Sequence, residues 1–231
     1  IKYAYSMFES DSIPKFWVET MNNFYDGVVV PDPWLVKSYE RAGVKIPIFV
    51  VPLGIMIENL LSKQLRTEAH EIFTFGMTSG FWERKNQIKV MDCFAESFGD
   101  NDKVKLKIHG RFGSYQNQVE QHAKKLNLKN LELTSGPMSS EKYDEFLESL
   151  DCMVFVSKGE GYSITPREML ALGKPVILSN NTAHRTICKT GFVKQIESNI
   201  KQPAKYEIFQ NQQIGYYFDC EKKNIIDAMR E

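Results

Sequence analysis

The chain has 231 residues, 42% of them hydrophobic and 25% charged, which suits one large or two modest α/β domains of a soluble protein. Lysine plus arginine equals aspartate plus glutamate at 29 each, so no global field draws the chain to nucleic acid or to an anionic membrane. No run approaches the roughly 18 apolar residues of a membrane-spanning helix.

In chain order, Asp26–Pro31 (DGVVVP) and Ile46–Gly54 (IPIFVVPLG) read as short strands. Between them Pro33–Gly43 reads as a helix with proline at its start and glycine at its end. Residues 55–70 are polar and aperiodic, and are expected to be a linker. From residue 71 strands and helices alternate. Ile72–Gly76 is expected as a strand, and Asn86–Phe98 as a helix with Ile88, Met91, Phe94, Ala95 and Phe98 on one face. Val104–Gly110 reads as strand, Tyr115–Leu128 as helix and Asn130–Gly136 as strand. Ser139–Leu150 reads as a helix opened by serines ahead of acids. Cys152–Ser157 is continuously apolar, as expected of a strand buried on both faces of a parallel sheet. A helix near Pro166–Leu172, strands at Lys174–Ser179 and Ile214–Asp219, and a helix at Lys223–Met229 follow. This alternation predicts βαβ units in a doubly wound parallel sheet. The strand C-terminal ends would then share one ligand-facing edge, bringing Gly76, Gly110, Gly136 and residues 157–162 to one crevice.

Cys93, Cys152, Cys188 and Cys220 are far apart and form no C-x-x-C pair, and His70, His109, His122 and His184 are scattered. That pattern opposes a zinc site and suits reduced thiols in a cytoplasmic protein. The chain starts at Ile1 without methionine, so a longer protein extending upstream is expected.

Two stretches carry chemistry. After the buried strand, KGEGYS (158–163) offers glycines for tight turns and close backbone approach to a ligand. Thr165, Pro166 and Glu168 read as N-cap, N1 and N3 of the next helix, whose amides and dipole suit a phosphate. Glu168 fits both a capping role and a ligand contact, while Glu160 fits both a solvated loop acid and a binding carboxylate. The second stretch is SGFWERKNQ (79–87), with Arg84, Lys85 and Asn86 at a helix start. Cations there oppose the helix dipole unless they reach a diphosphate, though a solvated pair also fits. Arg111 after the next strand is a further candidate.

Taken together, these pieces resemble the C-terminal half of the retaining glycosyltransferases of family 4, which have the GT-B architecture. The resemblance rests on EGYSITPRE (160–168) followed by MLALGKPVI (169–177), on RKN (84–86) and on residues 136–161. The early stretch from Asp26 to Ile55 also resembles the end of the family's N-terminal domain and its hinge. The resemblance implies a GT-B fold, with residues 1–54 as the tail of a Rossmann-like acceptor-side domain and residues 71–231 as a Rossmann-like domain for a nucleotide-sugar donor. It implies that Glu160 meets the donor sugar and Glu168 the ribose, that Gly161, Tyr162, Ser163, Ile164 and Thr165 hold phosphate, and that Lys85 with Arg84, and Arg111 nearby, neutralises the leaving diphosphate. No cofactor and no metal are expected, and charge stabilisation falls to these groups. The expected partners are a nucleotide-sugar donor and a glycan or lipid-linked acceptor, with no nucleic acid. Peripheral membrane contact would come through the rest of the acceptor-side domain of an otherwise cytoplasmic protein. A front-face path and a double displacement through a carboxylate both remain open. The sequence departs from the family where Met77 follows Gly76 in place of arginine, and where Ser163 replaces a glycine. A non-catalytic nucleotide-sugar binding or scaffold domain, or a GT-B sugar-nucleotide epimerase, is the alternative reading.

Overall fold

The computed structural model describes residues 1–56, 58 and 71–231, so most of the expected linker at 55–70 lies outside the described residues. Three short strands, β1 (Tyr3–Tyr5), β2 (Gly27–Val30) and β3 (Ile48–Val50), pair in parallel in the order β1-β2-β3. The crossovers are α1 (Lys15–Phe24) and α2 (Pro33–Ala42). In α2 the expected start and stop are both present. Asp32 caps it by accepting a hydrogen bond from the Trp34 amide at 2.9 Å, Pro33 follows, and Gly43 closes it at φ 107°.

The remaining strands, β4 (Phe73–Ser79), β5 (Val104–Gly110), β6 (Leu131–Ser135), β7 (Cys152–Phe155), β8 (Val176–Asn180) and β9 (Lys194–Glu197), form one parallel sheet ordered β6-β5-β4-β7-β8-β9. With β4 taken as the first strand, this is the 3-2-1-4-5-6 order of doubly wound sheets, and its switch point falls between β4 and β7. The connecting helices are α3 (Gln87–Phe98), α4 (Gln116–Leu126), α5 (Ser140–Glu148), α6 (Ile164–Ala171) and α7 (His184–Cys188), and α8 (Lys222–Arg230) returns against α3. All four residues of β7 are buried, as its unbroken apolar run requires. Met77, Met91, Phe94, Leu106, Ile108 and Met153 are at most 1% exposed, and burying each is worth about 1.5–3 kcal/mol. An antiparallel hairpin, β10 (Ile200–Tyr206) and β11 (Gln212–Asp219), stands outside this sheet. It clamps the loop after β1: Ser10 Oγ donates to the Ile214 carbonyl at 2.6 Å, and the Tyr216 amide donates to Asp11 at 2.7 Å.

Several expectations are corrected. β4 runs on to Ser79, so Gly76 lies in mid-strand and not at the crevice; a Cβ there would come within 2.3 Å of Leu150, which explains the glycine by packing. Elements β1, β9 and α7 were not legible as separate units, because three- to five-residue pieces carry too few periods for a pattern; α1, of ten residues, and β10, of seven with Pro203 inside it, were not singled out either. Among the described residues no helix is long and apolar enough to cross a membrane, and the four cysteines are free and buried.

Candidate functional site

The loops after β4 and β7 meet at the switch point and enclose a cavity of about 240 Å³. A larger open recess of about 770 Å³ lies beyond β8 and β9, lined by residues such as Asn180, Arg185 and Glu197, and no motif residue reaches it. On the β4 side of the smaller cavity the chain makes a 3-10 turn, Glu83–Lys85, and ends it at Asn86 in the left-handed region at φ 63°. Asparagine tolerates that conformation. Its amide group donates to the Val156 carbonyl at 2.9 Å and to Asp219 at 2.8 Å, so Asn86 ties the two loops together. This knot aims Arg84 and Lys85 across the switch point.

Both cations converge on Glu160. Lys85 Nζ donates to Glu160 Oε1 at 2.5 Å, and Arg84 Nη1 donates to the same oxygen at 3.0 Å and to the Gly159 carbonyl at 2.8 Å. Arg84 Nη2 donates to Glu9 at 2.9 Å, and Lys85 lies 5.2 Å from the centre of the Phe155 ring. The Glu160 amide donates to Thr182 Oγ1 at 2.8 Å, which fixes the loop from the β8 side. Burial pushes the Glu160 carboxyl pKa up, but Lys85 and Arg84 outweigh it and hold the group at about 2. Burial pushes the Lys85 ammonium down despite the pull of Glu160. Burial likewise opposes the charge on Arg84, yet Glu160 and Glu9 raise its pKa.

Ser163 opens α6 at φ 70°, a conformation that costs a non-glycine residue about 1–2 kcal/mol. The Ser163 side chain is held there by a hydrogen bond to His184 Nε2 at 2.9 Å. The other ring nitrogen lies 3.1 Å from the Ser179 carbonyl, which can only accept, so Nδ1 is assigned the proton and Ser163 donates to Nε2. Burial pushes His184 down to about 4, which keeps the ring neutral at neutral pH. Its folded pKa lies below the unfolded value of about 6.5, so the unfolded chain binds more protons between these values. Stability is therefore expected to be intact above pH 6.5 and to fall by about 3 kcal/mol as pH drops towards 4. Glu160 acts in a lower window, since its depressed pKa sustains stability that is lost from about pH 4.5 down to 2. Urea unfolding from pH 7 to 4 checks the first window; an unchanged slope in His184→Gln would refute the assignment.

The expected capping box is not formed. The helix starts at Ile164, two residues earlier than expected, because Ser163 makes the turn; no side chain caps it. Pro166 falls in the first turn, where its missing amide costs no helical bond. Glu168 then sits in the second turn, beyond capping reach. Its carboxylate accepts a 2.6 Å hydrogen bond from the Tyr143 hydroxyl on α5, and burial pushes both groups upward in pKa.

Of the residues singled out from sequence, Arg84, Lys85, Glu160, Gly161, Tyr162, Ser163, Ile164 and Thr165 line the cavity together. Glu168 stands behind its wall, and Arg111 is exposed with its guanidinium over Phe112 at 5.9 Å. Met7, Glu9, Leu53, Thr78, Ser79 and Phe155 complete the lining and were not foreseen. No local signal marks Glu9, whose partner Arg84 is 75 residues away in sequence. Tyr162 joins the molecule's two layers, one built on the three-stranded sheet and one on the six-stranded sheet, since its hydroxyl donates to the Leu53 carbonyl at 3.0 Å. Among the described residues no three His, Cys, Asp or Glu side chains are grouped to hold a metal ion.

The family model of glycosyl transferases group 1 matches residues 63–219. Alpha-monoglucosyldiacylglycerol synthase of Streptococcus pneumoniae (strain ATCC BAA-255 / R6) is 27% identical over 190 residues, covering 77% of this chain and 43% of that protein. The chain thus spans less than half the length of that relative. Among solved structures, Anabaena Alr3699/HepE in complex with UDP and glucose is similar at TM-score 0.65 and 16% identity, over 80% of this chain and 54% of that one. A trehalose-6-phosphate synthase analysed with bisubstrate glycomimetics is similar at TM-score 0.69 and 10% identity, over 93% and 54% of the two chains. TarM is similar at TM-score 0.62 and 17% identity, over 77% and 36%. These likenesses give the fold as GT-B, with the six-stranded sheet as one of its Rossmann-like units. With its family model matched over more than half the chain and the motif residues gathered at the switch point of that sheet, the protein belongs to the glycosyl transferases group 1.

Proposed function

We propose that the whole protein is a retaining glycosyltransferase that moves a hexose from a nucleotide-diphosphate donor to a glycan or lipid-linked acceptor without a metal ion. The observation that carries this reading is the convergence of Lys85 and Arg84 on Glu160 beside the N-terminus of α6 in one cavity. Negative charge grows on the leaving diphosphate as the glycosidic bond breaks. Two fixed cations and a helix N-terminus stabilise that charge with no reorganisation at the moment of reaction. Glu160, ionised and held by the same cations, faces the sugar and orients its hydroxyls. The amides of Gly161 to Thr165 take the phosphate oxygens. Glu168 serves the ribose from behind the wall, with Tyr143 holding its carboxylate. The curated relative is named as a synthase of a glucosylated diacylglycerol, which favours a lipid acceptor and peripheral contact with a membrane for this protein too.

Calorimetric titration of the chain with UDP, GDP, ADP and their sugar conjugates tests the donor site. Saturable binding of one of these nucleotides, weakened at least tenfold in Glu160→Gln when the sugar is attached, is expected. A folded chain that binds none of them refutes the donor reading.

A further inference from the structure

Arg84 is held from both layers of the molecule. Glu160 and the Gly159 carbonyl take Nη1, and Glu9, on the loop after β1, takes Nη2 at 2.9 Å. Glu9 is not free to drift. Its carbonyl lies where a Cβ on Gly159 would come within 2.2 Å, and its neighbours Ser10 and Asp11 are tied to the β10–β11 hairpin. Of the two carboxylates on this guanidinium, Glu9 is the more exposed, at 27% against 7% for Glu160. Glu160 has a second cation and a bound amide to hold it, whereas its partner across the cavity has Arg84.

We propose that Glu9 is a competing anion built into the donor site: its carboxylate and the donor's diphosphate contend for Arg84, so Glu9 sets how tightly the nucleotide is held and how readily it leaves. This rests on the donor-site reading above. A carboxylate beside Arg84 weakens the attraction of the site for any anion that approaches the same cation. The nucleoside diphosphate left after transfer carries more negative charge than its sugar ester. The repulsion from Glu9 therefore falls harder on product than on substrate, and favours product release over substrate loss. Glu9 is a positioning residue in this scheme, acting through Arg84 and not on the reacting carbon.

The test is calorimetric titration of the chain and of Glu9→Gln with inorganic pyrophosphate, UDP, GDP and ADP at low and high salt. Glu9→Gln is expected to bind pyrophosphate and the accepted nucleotide about three- to tenfold more tightly, with the gain shrinking at high salt. Glu9→Ala, which also removes packing, should change affinity in the same direction. Glu40→Gln, which removes a charge from the exposed side of α2, should leave it where it was. A purely structural Glu9 would weaken binding in both variants. If wild type binds and the Glu9 variants bind equally or less tightly, the proposal is overturned and the donor site stands. If neither wild type nor variants bind pyrophosphate or any of the three nucleotides, both readings fall.

Discussion

Replacing Lys85 by alanine is expected to cut sugar transfer by the full-length protein about 10²–10³-fold, the usual cost of removing one fixed group that meets developing charge. Lys85 is 11% exposed and lies 2.5 Å from Glu160, so its ammonium is poised in a site largely shielded from water. There its charge acts with far less screening than at the surface. The change has a second consequence at Glu160. Lys85 is the strongest influence holding that carboxyl down against burial, so the carboxyl pKa rises in the variant. Lys85→Arg restores the charge but not the compact point donor, and only partial rescue is expected. Steady-state turnover by the full-length protein with the accepted donor, alongside circular dichroism of the variant, decides the matter. Folded Lys85→Ala with turnover within threefold of wild type would remove Lys85 from the machinery.

A different kind of loss is expected from Asp32→Ala, which should destabilise the fold by roughly 3–5 kcal/mol, as breaking a buried charged network does. The Asp32 side chain is fully buried, and burial pushes its carboxyl pKa up. Four groups use the carboxylate at once or nearly so. It caps α2 through the Trp34 amide, and it accepts from Thr186 Oγ1 at 2.8 Å and from Arg167 Nη2 at 3.3 Å, with Lys189 adding a weaker attraction. Thr186 and Arg167 belong to the other layer, and Arg167 also lies 4.2 Å over the ring of Tyr162 in the loop after β7. Without Asp32, a half-buried guanidinium and a half-buried hydroxyl lose their partner beside a hole. Asp32→Asn keeps the cap and is expected to cost less than alanine. Urea unfolding of the three proteins measures this directly; a cost below 1 kcal/mol for alanine would show that the contact contributes little.

The two experiments probe different links of one chain of cause. Under the proposed function Lys85 acts on the chemistry, whereas Asp32 acts on the seam that brings Met7, Glu9 and Leu53 to the cavity wall. A cavity assembled from both layers is sensitive to that seam even where no ligand touches it.

The sequence by itself determined the sheet class, since continuous apolar runs such as Cys152–Phe155 alternate with amphipathic segments such as Gln87–Phe98, and these periods allow few other arrangements. It also determined the placement of Lys85, Glu160 and the 161–165 loop, because their motif is local and lies at strand ends that a doubly wound sheet brings to one edge. Tertiary structure alone decided the rest. The start of α6 moved to Ile164 because Ser163 accepts a positive φ with His184 as its partner, a contact 21 residues long in sequence. Glu168 became a partner of Tyr143 once that shift carried it out of capping reach. Glu9 entered the site through Arg84, and Asp32 joined the seam through Thr186 at a separation of 154 residues. The reason is common to all four: periodicity reports which face of an element is buried, but a hydrogen bond between elements depends on their relative placement, which no local pattern encodes.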